Sequence, residues 1–141
     1  MVCLGNICRS PLAHGIMEHI VAENNLGWSV DSAGTGDWHV GQAPDKRSVA
    51  VAQQYGVDIS SQRAQHFTAE LFDRYDRIFV MDRQNMKDVL GLARTDEDRA
   101  KVSLFLEGDV VPDPYYDDTL FEPVYAMVEA RCHDLIKVLS L

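Results

Sequence analysis

The sequence has no apolar run long enough to span a bilayer, which argues against a membrane-embedded role. No signal peptide is visible, because Met1 leads almost at once into a polar, cysteine-bearing run. Cysteine is scarce: Cys3, Cys8 and Cys132 form an odd set, which argues against a disulfide framework and suits a reducing cytoplasm. Positive charge is also short, with 13 Lys and Arg against 22 Asp and Glu and a net charge of −9. That balance argues against a nucleic-acid partner or an anionic membrane surface. The five histidines, at positions 14, 19, 39, 66 and 133, show no metal-ligand spacing, so no metal is assigned. There is no internal repeat, low-complexity tract or linker. What remains is 141 residues, 46% apolar and 25% charged, enough for one domain over 1–141 with a hydrophobic core.

Apolar patterning then gives an alternation of elements. Residues 10–25 read as a helix, with Leu12, Ile16 and Ile20 at helical spacing, Ala13 and Met17 beside them, and Pro11 suited to the first turn. "WSVDSAG" from Trp28 reads as a short strand. Pro44 and Asp45 open a second helix to about Tyr55, closed by Gly56. "RIFVMD", 77–82, is a compact run typical of a buried strand, and 84–92 looks helical. "VSLFLE", 102–107, is another strand candidate. The last helix is the clearest: Val124, Tyr125, Val128, Cys132, Leu135, Ile136 and Leu139 mark one face. Such alternation implies a four-stranded parallel sheet covered by helices on both faces, an α/β, doubly wound, flavodoxin-like arrangement with a truncated first strand. Ligands bind such sheets beyond the carboxyl ends of the strands. Cys3 to Ser10, Asp82 and Asp113 all fall just after strands.

The opening run "VCLGNICRSP" has the parts of an anion site. A turn followed by a helix start can aim backbone N–H groups inward, and the helix end adds unpaired donors and partial positive charge. Gly5 admits conformations closed to other residues, and Asn6 tolerates a left-handed one. Arg9 offers a planar fork for two phosphate oxygens. Cys3 would sit beneath the anion, in a field that favours the thiolate, and Ser10 can donate to its sulfur. A lone cysteine near a strand is usually only a small buried hydrophobe. Gly5, Asn6, Ser10 and Pro11 around it tip the reading toward nucleophilic chemistry.

A nucleophile attacking a phosphate ester needs a proton donor for the leaving oxygen. "VVPDPYYDD", 110–118, supplies Asp113 between two prolines, with Tyr115 and Tyr116 as aromatic walls. By itself that stretch is also readable as a proline-rich turn.

Together, "CLGNICRSP" and "DPYY" resemble the two signatures of the low-molecular-weight protein tyrosine phosphatase family, and "DSAGTGDWHVG" and "VMDRQN" resemble family segments between them. The resemblance implies hydrolysis of phosphotyrosine monoesters through a cysteinyl-phosphate, without cofactor or metal. It implies Cys3 as nucleophile, the phosphate loop Leu4, Gly5, Asn6, Ile7, Cys8 and Arg9, with Arg9 gripping equatorial oxygens, and Asp113 as general acid and then base. Asn6, Ser10 and Ser32 match a network that shapes the loop. Leu4, Ile7, Trp38, Tyr115 and Tyr116 match a slot for an aryl ring, although Trp38 would also serve as a core cover. Asp82 is either an ordinary cap or a support near the site. Cys8 is either a packing residue or a reversible disulfide partner of Cys3. The implied partners are a phosphotyrosine-bearing protein or peptide, with inorganic phosphate or other oxyanions as product or inhibitor.

Three alternatives stand beside this reading. An arsenate reductase on the same scaffold needs two relay cysteines, and only Cys8 and Cys132 remain. A protein arginine phosphatase would carry threonine where Ile7 stands. A catalytically silent phosphate-binding module would not need Cys3, Arg9 and Asp113 together. The chain departs from the family pattern twice. Gln62 stands where many relatives have a loop-supporting histidine, and its amide is expected to substitute. Only Met1 and Val2 precede Cys3, where relatives have several apolar strand residues. A version extended upstream by about four to six such residues is expected to melt at a higher temperature, and coincident melts would refute this.

Overall fold

The period-two and period-3.6 runs become four short parallel strands wrapped by helices. The computed structural model describes residues 1–140, so Leu141, the last position of the expected domain, lies outside the described residues. In chain order the elements are β1 (Val2–Cys3), α1 (Arg9–Glu23), β2 (Ala33–Gly34), α2 (Lys46–Gln54), α3 (Leu71–Arg74), β3 (Ile78–Val80), α4 (Arg83–Leu90), α5 (Asp96–Ala100), β4 (Val102–Leu104) and α6 (Phe121–Leu139). A single 3₁₀ turn, Asp118–Leu120, leads into α6. The strand order is β2-β1-β3-β4 and all pairings are parallel. This is the doubly wound arrangement expected from the alternation.

Side-chain alternation in the strands divides the interior in two. Cys3 and Phe79 face one side, where Leu12, Ile16 and Ile20 of α1 meet Val124, Val128, Cys132 and Leu135 of α6 and Val51 of α2. Val2, Ile78 and Val80 face the other, against Phe67, Leu71 and Phe72 beside α3 and Val89 of α4. At roughly 1.5–3 kcal/mol for each large apolar side chain removed from water, these two layers supply the drive that holds the sheet. Helix α1 is buried around much of its girth, from Arg9 to Val21. That is why its apolar residues spread beyond one stripe.

The strands are shorter than the apolar runs that announced them. Val2 pairs with Ala33 and Cys3 with Gly34, so residues 28–32 extend beyond the paired register and form no strand. The run 102–107 pairs only through Leu104. Short helices α3 and α5 fall in stretches too brief for periodicity to reveal. Helix α2 starts as expected at Asp45, whose side chain accepts from the Arg47 amide. Asp82 caps α4 in a reciprocal box with Asn85.

Gly15 marks the closest approach of α1 to the segment after α2. A Cβ there would lie 2.3 Å from Ile59 Cγ2, and Ile59 is wholly buried. Alanine in a helix interior normally gains about 1 kcal/mol over glycine, whereas overpacking a filled core costs about 1–3 kcal/mol. The second effect dominates at this position. Gly15→Ala is therefore expected to lower the urea midpoint despite the better helix former.

Candidate active site

The carboxyl end of β1 delivers Cys3 directly under the start of α1. Between them the chain turns through Asn6 in the left-handed region, at φ 56°. The turn brings the Asn6 amide within 3.3 Å of Cys3 Sγ. Ser10 Oγ lies 3.0 Å from the same sulfur and accepts from Asn6 Nδ2 at 2.8 Å. Asn6 Oδ1 in turn accepts from the Gln65 amide at 3.0 Å. Helix α1 begins at Cys8 with no side-chain cap. Among the described residues the amides of Gly5, Ile7 and Cys8 donate to no protein acceptor. Uncapped helix and loop donors of this kind form an anion cradle.

Arg9 is almost completely buried, yet it is well partnered. Its Nη1 donates to Asp82 Oδ2 at 2.7 Å and to the Val111 carbonyl at 3.0 Å, and Nη2 lies 3.7 Å from Asp113 Oδ2. A buried guanidinium with two short charge-oriented contacts has little freedom to turn away. Asp82 thus caps α4 with one oxygen and holds Arg9 with the other. Asp113 sits at the open side, 37% exposed, with Oδ1 accepting from the Tyr115 amide at 3.0 Å.

These groups surround a cavity of about 310 Å³. Cys3, Cys8, Arg9 and Asp113 border it, and Leu4, Ile7, Trp38, Tyr115 and Tyr116 complete its wall. Trp38 is 67% exposed, so it stands over the cavity mouth and does not cover the core. A larger cavity of about 480 Å³ lies at the amino ends of the strands, between Met1, Trp28 and Arg77, and carries no thiol. The Cys3 and Cys8 thiols and the Arg9 guanidinium border the smaller one.

The chain matches the family described as low molecular weight phosphotyrosine protein phosphatase over residues 1–140. It belongs to this family. The protein of that name from Sus scrofa is 34% identical over 96% of this chain and 91% of its own length. A protein tyrosine phosphatase from Entamoeba histolytica, solved with Hepes in the active site, superposes with a TM-score of 0.92 at 32% identity, covering 99% of this chain and 94% of that one. Wzb from Vibrio vulnificus, solved in complex with benzylphosphonate, gives 0.86 at 29% identity over 96% and 94%.

Within this phosphatase-family frame, several expectations need correction. Gly5 takes no positive φ, although Asn6 does adopt the left-handed conformation its type tolerates. The constraint at Gly5 is contact, because a Cβ there would come within 3.1 Å of His39 Cδ2. Ser32 does not bond Asn6 or Ser10. Its hydroxyl meets His14 Nδ1 at 2.9 Å, and it reaches the loop only through Gln65, whose Nε2 donates to the Ser32 carbonyl. Gln62 does not replace a loop histidine, since its Nε2 donates to the Pro11 carbonyl in α1. Gly34, His39 and Gln65 also border or brace the loop, with no role evident for them from sequence. Gly34 is needed because a Cβ would lie 2.8 Å from the Leu4 carbonyl. Thr35 and Gly36 then donate their amides to the Cys3 and Leu4 carbonyls. The only sequence signal for this brace was the pair of glycines in "SAGTG".

The other two thiols are chemically quiet. Burial, then Asp45, pushes the Cys8 thiol up to about 12, and burial does the same for Cys132. Both therefore stay protonated at neutral pH. Because their folded values exceed the usual value near 9, their protonation contributes stability that is present below pH 9 and lost between about 9 and 12. In folded Cys3→Ser protein, iodoacetamide at pH 7.5 is expected to label neither thiol at an appreciable rate, and rapid labelling of Cys8 would contradict its environment.

Proposed function

We propose that this chain is a protein tyrosine phosphatase acting on phosphotyrosine in proteins or peptides, with the single domain 1–141 as its working unit. The observation that carries the reading is convergence. Cys3, Arg9 and Asp113, from opposite ends of the chain, border one cavity with aromatic walls. The benzylphosphonate complex of Vibrio vulnificus Wzb supports it, since that ligand joins an aryl ring to a phosphorus oxyanion.

The reaction runs in two balanced steps. The Cys3 sulfur, as thiolate, attacks phosphorus and forms an S–P bond as the P–O bond to the aryl group breaks. Asp113 gives its proton to the departing phenolate oxygen. Loop amides and the Arg9 guanidinium stabilise the equatorial oxygens as charge redistributes. Water then attacks the phosphocysteine, Asp113 takes its proton, and the S–P bond breaks to release inorganic phosphate and the thiolate. Asn6 and Ser10 hold the sulfur and the loop in register. Leu4, Ile7, Trp38, Tyr115 and Tyr116 grip the ring, and the depth of the slot favours the long phosphotyrosine over phosphoserine.

The alternatives fare worse on geometry. A reductase relay would need a third thiol beside Cys3 and Cys8, whereas Cys132 lies in the core and does not border their cavity. Ile7 at the cavity wall suits an aryl ester better than a guanidinium. A chemistry that depends on a free thiol fits the cytoplasm, and no helix is long and apolar enough to cross a membrane among the described residues.

Hydrolysis of an aryl phosphate by wild type, Cys3→Ser and Asp113→Ala tests the assignment. Cys3→Ser is expected to abolish turnover. Asp113→Ala is expected to lose roughly 10²–10⁴, less with activated leaving groups. Acid quenching should trap a phosphocysteine on Cys3, and turnover without one would refute the mechanism.

A further inference from the structure

Asp113 must meet the leaving oxygen, but the segment that bears it has few attachments. Upstream, the Val111 amide bonds the Met81 carbonyl and the Val111 carbonyl receives Arg9. Downstream, residues 113–118 hydrogen-bond mainly within their own turns. Among the described residues, two polar ties join 113–118 to other elements. One is Arg9 to Asp113, and the other runs from Arg47 to Asp118.

Arg47 is unusually well held for a surface cation. Its Nε and Nη2 fork onto both oxygens of Asp45, at 3.0 and 2.9 Å. Its Nη1 donates to Asp118. Its guanidinium carbon lies 4.5 Å from the Phe121 ring centroid and 5.5 Å from that of Tyr115. Phe121 is buried, so the plane rests on a fixed floor. Exposed ion pairs are usually weak because two long side chains must be ordered. Here the Asp45 fork has already ordered Arg47, and the reach to Asp118 and Tyr115 adds little entropic cost. Asp45 is itself tied to the nucleophile loop, since its amide donates to the Ile7 carbonyl at 2.8 Å. A continuous path therefore runs from the loop over Cys3, through Asp45 and Arg47, to the segment carrying Asp113 and Tyr115.

We propose that Arg47 is a positioning residue that clamps the acid-bearing segment to the nucleophile loop, setting Asp113 against the leaving aryl oxygen. This rests on the phosphatase reading above. Arg47 touches no substrate and acts through Asp113.

The experiment compares kcat/KM, which reports transfer to the enzyme, for phenyl phosphate and 2,4-dinitrophenyl phosphate. Phenolate is the poorer leaving group and depends more on the acid. Arg47→Ala is expected to lower kcat/KM about tenfold on phenyl phosphate and less than twofold on the dinitrophenyl ester. Arg47→Lys is expected not to restore the phenyl phosphate rate, because an ammonium cannot hold the Asp45 fork and Asp118 together. Asp118→Asn, at an exposed site that poses no folding hazard, is expected to show the same pattern at smaller amplitude. In an Asp113→Asn background the Arg47→Ala effect is expected to vanish. Equal losses on both esters, or an undiminished loss in the Asp113→Asn background, overturn the clamp and leave the phosphatase reading standing. A wild type that turns over neither ester overturns both.

Discussion

Everything in this protein follows from one sulfur atom placed where the central strand stops and a buried helix begins. Cys3 Sγ is within hydrogen-bonding reach of the Asn6 amide and the Ser10 hydroxyl. Because β1 lies between β2 and β3, both contacts sit at the centre of the sheet. The unpaired donors at the start of α1 would be a defect in an ordinary helix. Here they belong to Gly5, Ile7 and Cys8, which border the cavity. The two hydrophobic layers fix the strand and helix axes so that the turn between them has one shape.

Much of this was legible beforehand, and the reasons are specific. The apolar runs of α1, α6 and β3 are long or dense enough for periodicity to speak, and each lies where its pattern puts it. Short spacing also carries information. Cys3, Asn6, Arg9 and Ser10 act over a few residues of one turn, so their relation is contained in the local string. The prolines and tyrosines around Asp113 read as a turn when taken alone, and singled it out only beside the opening run. The strand after Trp28 was overextended because apolar content says nothing about where a partner strand ends. Helix α5 has a readable signal in Thr95 and Asp98, whose amide bonds the Thr95 hydroxyl, but it spans little more than one turn.

The relations that escaped are those between distant segments. Nothing near Asp82 says that its second oxygen will hold Arg9, 73 residues earlier. Nothing near Ser32 says that its hydroxyl will choose His14 over the loop. Gly34 is constrained by the Leu4 carbonyl and not by its own turn, so its neighbours in sequence do not reveal it. Gln62 resembled a substitute for a loop residue by position alone, and the three-dimensional path sends its amide to α1 instead. Local chemistry was readable; the braces that orient it depend on topology.

The span of the Arg9 contacts has a consequence for how the protein is made. Arg9 is settled by Asp82 and by the Val111 carbonyl, 102 residues downstream. On the ribosome, Cys3 and Arg9 are made long before the groups that orient the guanidinium. The buried guanidinium therefore meets its partners only after the chain through Val111 has been made and has folded back beside β1. Its setting rests on the ends of β3 and on the segment after β4 as much as on the loop that carries it.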